Sequence, residues 1–167
     1  MTSTHRTRPA SHLPALGTRG GGWVAGQALL IVAVFLSALA GRGWSGPHAI
    51  TAYVVGLVLL GLGLLMLVLA ALQLGTSLTP FPAPKADEIT TTGTFALVRH
   101  PMYGGGILIA LGWTIIFASV VGLAVTVLLA LFLDLKSRRE EIWLSERYDD
   151  YEAYREQTPH KLVPFIY

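Results

Sequence analysis

Cysteine is absent, which excludes a disulfide framework, a thiolate zinc site and a cysteine nucleophile. Charge is scarce as well. Only 13% of the 167 residues are charged, against about 25% in soluble domains. Twelve Lys and Arg against ten Asp and Glu leave a formal net charge of +2, so no basic excess marks a nucleic-acid surface. His5, His12, His48 and His160 are scattered without ligand spacing, and no metal site is expected. No internal repeat or low-complexity tract stands out. What is abundant is apolar length: 53% of residues are hydrophobic and the mean hydropathy is +0.57. That composition excludes a disordered chain and a water-soluble enzyme with a large sheet core.

A hydrocarbon core of about 30 Å takes about 20 apolar residues as a helix. Three uncharged runs qualify, over residues 23–40, 49–75 and 104–133. The first two read as single spans. The third, as one helix, would be about 45 Å long, so a hairpin fits better, breaking at the small and β-branched residues Ala118, Ser119, Val120, Val121 and Gly122. Each arm is then about 15 residues and has to tilt or thin the bilayer. The expected fold is an all-α integral membrane protein of about four transmembrane helices, the last two a hairpin, with a cytoplasmic C-terminal helical extension.

Four spans sort the basic residues cleanly. Arg6, Arg8 and Arg19, Lys85 and Arg99, and Lys136, Arg138, Arg139, Arg147, Arg155 and Lys161 fall on one side, and Arg42 alone on the other. Basic residues are retained in the cytoplasm, so both termini are expected there, in a multi-pass protein of the cytoplasmic membrane. Basic residues before the first apolar run imitate a signal peptide, but that run is longer than an h-region, and retention as an anchor is expected. Residues 1–22 read as a flexible cytoplasmic arm, 23–75 as two spans, and 76–167 as a polar loop, the hairpin and a C-terminal segment.

Ionisable residues beside spans are functional suspects. They concentrate in the loop TSLTPFPAPKADEITTTGTFALVRHPMY (76–103) and in the stretch 134–167. Topology puts both on one face. Pro80, Pro82 and Pro84 stiffen the loop. Pro101 suits the first position of a helix, leaving the helix's free N–H groups near Arg99 and His100, a place that attracts an anion. Glu140 and Glu141 belong on a helical continuation of the last span. Taken alone, these glutamates read as partners of the interfacial anchors Lys136, Arg138 and Arg139. Tyr148, Tyr151 and Tyr154 likewise read as an interfacial belt or packing stripe. Gly56, Gly61 and Gly63 lie inside an apolar run with no strand before them, and read as helix-contact residues rather than a dinucleotide loop. Gly104, Gly105 and Gly106 suit either close backbone approach of a cofactor or a loosened helix start.

The ordered set RHPMYGG (99–105), EEIWL (140–144), the tyrosine triplet and LVPFI (162–166) resembles the isoprenylcysteine carboxyl methyltransferase family. These are membrane S-adenosylmethionine methyltransferases that also resemble the phospholipid N-methyltransferases. The pattern covers residues 79–167. The resemblance implies an S-adenosylmethionine site formed by Glu88, Ile89, Thr90, Phe95, His100, Pro101, Met102, Tyr103 and Glu140, with Lys136 and Glu141 as catalytic candidates. Lys136 stands where the prenylcysteine enzymes have an arginine for the substrate carboxylate, keeping the charge but losing the bidentate fork. Phe95 stands where Tyr is common. The implied acceptor is a lipophilic small molecule entering from the bilayer, prenylcysteine-like or another small apolar group, with a phospholipid amine as the alternative. Methyl transfer to a carboxylate needs positioning and exclusion of water. An amine acceptor also needs a base, for which His100 or Glu141 is available. An NADPH-dependent sterol-type reductase carries a related motif, but with Asn before the Tyr and an acidic residue after it, where this chain has Met102 and Gly104–Gly106. A non-catalytic membrane protein is the remaining class, and it predicts no cofactor binding.

Overall fold

The computed structural model describes residues 13–84 and 88–167. Residues 1–12 of the expected arm, with Arg6, Arg8, His5 and His12, lie outside the described residues, as does Lys85. Among the described residues all regular structure is helical: α1 (Gly21–Leu39), α2 (Ala49–Leu74), α3 (Pro101–Ile116), α4 (Val120–Arg147) and α5 (Tyr151–Gln157), with 3₁₀ turns at Gly75–Ser77 and Gly93–Ala96. By length and composition α1, α2 and α4 are able to cross a membrane, and α3 is a shorter apolar helix. The protein is therefore an all-α, multi-pass membrane protein.

The long third run does break into two helices. Ala118 adopts φ +50, and Ser119 caps α4 by accepting the Gly122 N–H at 2.9 Å on its hydroxyl. The same hydroxyl donates to the Ser37 carbonyl at 2.9 Å and ties the turn to α1. The arms are unequal, against the expectation of about 15 residues each. The 16 residues of α3 reach about 24 Å, short of the hydrocarbon thickness. The 28 residues of α4 reach about 42 Å, so its last turns, from Asp134 onward, project the charged residues beyond the apolar run.

α3 packs along α2, and α4 packs along α1. The α2–α3 seam is made of backbone. A Cβ on Gly63 would stand 2.6 Å from the Gly105 carbonyl oxygen, and one on Gly105 would stand 2.7 Å from that of Gly63. Gly56 and Gly112 repeat the arrangement one heptad away. Small residues that let helix backbones touch are the usual means of association where no hydrophobic drive exists. The core of the second pair is Val34, Leu129 and Leu133, with Ala110 of α3 closing it. Large apolar side chains on the outer faces, such as Leu29, Leu36, Ile50 and Leu72, are exposed, as a lipid-facing surface requires.

Residues ahead of α1 are held to the bundle. The Trp23 indole donates to the Pro14 carbonyl at 3.1 Å, and Gly20 sits where a Cβ would meet Pro82 and Trp143. The described part of the expected arm thus touches the bundle at Trp23, Pro82 and Trp143.

Candidate functional site

Pro101 starts α3 as its first residue, and His100 before it is extended at φ −126, ψ 63. Its ring lies parallel to that of Tyr103, with centroids 5.5 Å apart. Across from them, helical periodicity puts Lys136, Glu140 and Leu144 on one face of α4. The loop 77–84 and the stretch 88–95 make one wall, the start of α3 another, and α4 with α5 the third. Between them lies an open cleft of about 980 Å³, its mouth and the solvent in it included.

Every residue expected to hold a cofactor is in that lining: Glu88, Ile89, Thr90, Phe95, His100, Pro101, Met102, Tyr103 and Glu140. Lys136 lines it too. Glu141 does not, because consecutive helical residues point about 100° apart. It stands behind the lining, where Arg99 Nε donates to its Oε1 at 2.9 Å and His100 Nε2 lies 3.1 Å from the same oxygen. On the cleft side Tyr103 Oη donates to Glu140 Oε2 at 2.7 Å, with His100 Nδ1 3.7 Å from that oxygen. His100 is therefore set between two carboxylates. The Glu140 side chain is 25% exposed and that of Glu141 14%, so Glu140 is the one that faces the cleft.

Lys136 corrects the anchor reading. It is 1% exposed, not a snorkelling side chain. Its Nζ donates to Gln27 Oε1 at 2.5 Å and to the Pro80 carbonyl at 3.0 Å, with the Tyr103 ring 5.1 Å away. It thus joins α1 and the proline-rich loop to α4. Of the two readings of the tyrosines, the packing stripe holds and the interfacial belt does not. Tyr148, Tyr151 and Tyr154 form a buried cluster with Ile89 and Leu144 at its edge, and all three line the cleft. Tyr154 Oη donates to the Phe95 carbonyl at 2.7 Å and so places the Phe95 ring. Burial pushes both the Tyr151 and Tyr154 phenols above their ordinary range, so they remain neutral hydroxyls.

Three contributors escaped sequence reasoning. Arg99 was visible only as part of the motif, yet it bridges Glu141 and the chain after α5. Gln27 sits alone in an apolar span, and that lone amide was the available signal. Gln73, near the end of α2, accepts from the Thr94 N–H at 2.9 Å and from Thr94 Oγ1 at 2.6 Å, fixing the turn that carries Phe95. Among the described residues no group of His, Asp and Glu is arranged to hold a metal ion.

Residues 51–151 match the model of the phospholipid methyltransferase family. The chain is 36% identical over 106 residues to phosphatidylethanolamine N-methyltransferase of Rattus norvegicus, covering 62% of this chain and 53% of that protein. It is 36% identical over 100 residues to phosphatidylethanolamine N-methyltransferase of Homo sapiens, covering 58% and 50%. The chain thus spans about half the length of the curated relatives it matches.

Proposed function

The chain belongs to the phospholipid methyltransferase family, and from that premise we propose that its cleft transfers a methyl group from S-adenosylmethionine to the amine of a phospholipid headgroup, phosphatidylethanolamine first among them. This narrows the resemblance to isoprenylcysteine carboxyl methyltransferases toward their phospholipid relatives. The carrying observation is His100 set between Glu140 and Glu141 at the wall of the cleft. An amine is protonated near neutral pH and has to lose a proton before its lone pair attacks the sulfonium methyl. The N–C bond forms as the S–C bond breaks, and the electron pair stays on sulfur. The proton goes to the Glu140–His100–Glu141 set, acid–base equipment that a carboxylate acceptor does not need.

The residues present fit the donor. Phe95 and Tyr148 offer ring faces, Ile89 and Met102 apolar contact, and Glu88, Thr90 and Glu140 polar atoms for hydroxyl or ammonium groups. When bound, S-adenosylmethionine supplies an already activated methyl. Pro101 and Tyr103 hold the helix start and Glu140 in register. Glu141 orients His100 and Arg99 from behind, and Lys136 tethers α1 and Pro80 to the wall. The polar end lies on the cytoplasmic side, both chain ends with it, and the acceptor enters sideways from the bilayer. Residues 23–75 serve as anchor, and residues 76–167 carry the site.

A second reading is supported by Lys136, a buried cation in the lining with no carboxylate within ion-pair distance among the described residues. A prenylcysteine-like carboxylate acceptor would use that charge. On this reading Lys136→Gln abolishes transfer and Lys136→Arg preserves it, whereas with an amine acceptor Lys136→Gln loses only the tether to Gln27 and Pro80 and lowers turnover by about tenfold, about 1.4 kcal/mol. Calorimetric titration of the detergent-purified protein with S-adenosylmethionine and with NADPH, followed by transfer assays on phosphatidylethanolamine and a prenylcysteine, decides the matter. Donor binding with transfer to phosphatidylethanolamine is the expected result. NADPH binding without S-adenosylmethionine binding overturns the proposal. Reporters at Gly46 and at Tyr167 are expected outside and inside, respectively, and the reverse overturns the orientation.

A further inference from the structure

The segment after α5, Thr158 to Tyr167, contains no helix or strand, yet Thr158, Lys161 and Leu162 are buried. It lies across the Arg99–His100 turn. The Arg99 N–H donates to the His160 carbonyl at 3.1 Å, and the His100 N–H donates to the Lys161 carbonyl at 2.9 Å. Arg99 Nη1 donates to the carbonyls of Thr158 at 2.7 Å and Pro159 at 2.8 Å. A Cβ on Gly104 would collide with the Leu162 carbonyl, so the segment presses on the first turn of α3. The two residues ahead of Pro101 lie outside the helix, and their N–H groups are satisfied by this strap alone.

The far end of the strap is clasped to α4. Lys161 Nζ lies 2.5 Å from Asp134 Oδ1, and Tyr167 Oη donates to the same oxygen at 2.9 Å. Arg138 Nε holds the other oxygen at 2.8 Å. The strap curls so that the Leu162 and Val163 N–H groups both donate to the Tyr167 carbonyl, at 2.7 and 2.9 Å. Asp134 is the first charged residue after the 30-residue uncharged run, a depth at which a carboxylate is costly unless paired. Neither of the two helix pairs that build the bundle depends on this clasp.

We infer that Asp134 and Lys161 are positioning residues: their ion pair fastens a strap that fixes His100, and through it the Glu140–His100–Glu141 arrangement, from outside the bundle. The inference rests on reading the cleft as the methyl-donor site. A chain with the clasp undone keeps its helices, but its Arg99–His100 turn is no longer held at the wall.

The experiment uses the full chain in detergent and compares Lys161→Met and Lys161→Arg with the unaltered protein. Two quantities are read: hydrogen exchange of the Arg99 and His100 amides, which needs no donor, and the dissociation constant for S-adenosylmethionine. Lys161→Met is expected to speed exchange at both amides about tenfold and to weaken donor binding about tenfold, with helix content unchanged, while Lys161→Arg stays within about twofold of the original. Unchanged exchange, or faster exchange with unchanged donor affinity, overturns the positioning role alone. An unaltered protein that binds no donor overturns the reading of the cleft and the positioning role with it. If Lys161→Met fails to fold, Tyr167→Phe takes its place, removing one hydrogen bond to the same carboxylate. It is expected to speed exchange about threefold, and no change there overturns the inference.

Discussion

Along the α2–α3 seam Gly56 meets Gly112 and Gly63 meets Gly105, while just beyond its last contact Arg99, His100, Tyr103, Glu140 and Glu141 are joined by hydrogen bonds. The seam holds by shape. It contains no charge, tolerates no added atom, and binds helices that lipid would otherwise solvate equally well. The polar end holds by complementarity of charge and hydrogen bonding, which leaves room for a ligand but makes each group dependent on its partners. Damage to the seam should cost fold, and damage to the polar end should cost affinity and turnover. A variant that crossed those categories would break the comparison.

The largest effect is expected at the seam. Gly63→Leu places side-chain atoms where even a Cβ is 2.6 Å from backbone oxygen, and overpacking of this kind costs about 3 kcal/mol or more. Monodisperse protein should be lost on size exclusion in detergent. Gly61→Leu, two residues away with nothing within 4 Å of its Cβ position, should behave as the original. Equal behaviour of the two would remove the seam as the organising contact.

Next come His100→Ala and Glu140→Ala, each deleting a buried partner at a cost of about 1–3 kcal/mol. Calorimetry should show donor affinity weakened by about ten- to a hundredfold, with thermal unfolding nearly unmoved. If both variants bound the donor normally, the polar end would not be the donor site.

Glu141→Gln probes the layer behind the cleft. It keeps the shape but loses the charge that faces Arg99 and His100. Turnover should fall by about three- to tenfold while donor affinity changes less than in Glu140→Ala. A larger loss of affinity than at Glu140 would mean that Glu141, not Glu140, faces the ligand.

The smallest effect is expected at Tyr151, which is fully buried and whose hydroxyl has no hydrogen-bond partner among the described residues. Tyr151→Phe keeps the ring in its cluster and removes an unsatisfied group that costs about 1–3 kcal/mol. The unfolding temperature should stay level or rise slightly. A fall would show that the hydroxyl has a partner after all.

Much of this was legible beforehand because lipid imposes simple rules. Uncharged length announced the spans, and the weak stretch at 118–122 announced the hairpin, since a 30-residue apolar helix overshoots the bilayer. The glycines of α2 were readable as helix contacts because nothing else explains them in an apolar run. The site motif at 99–105 and the glutamates at 140–141 were readable as residue types whose chemistry is out of place beside a span. Lys136 passed for an anchor, and the tyrosines were left between belt and packing stripe, because spacing along one helix does not say what covers its face. Lys136 passes for an anchor until Gln27 and Pro80 are seen to enclose it, and Tyr151 and Tyr154 pass for a belt until the loop with Ile89 and Phe95 closes over them.

Sequence alone thus determined the class of solvent, the positions of the long apolar runs and the inventory of groups able to do chemistry, because transfer of apolar and charged groups between water and lipid is decided residue by residue. Tertiary structure decided which of two adjacent glutamates faces the cleft and which stands behind it. It also decided that a lysine at the membrane boundary turns inward, and that a segment some 60 residues beyond the Arg99–His100 turn supplies that turn's hydrogen bonds. Those outcomes depend on distances between elements far apart in the chain, and no local periodicity encodes them.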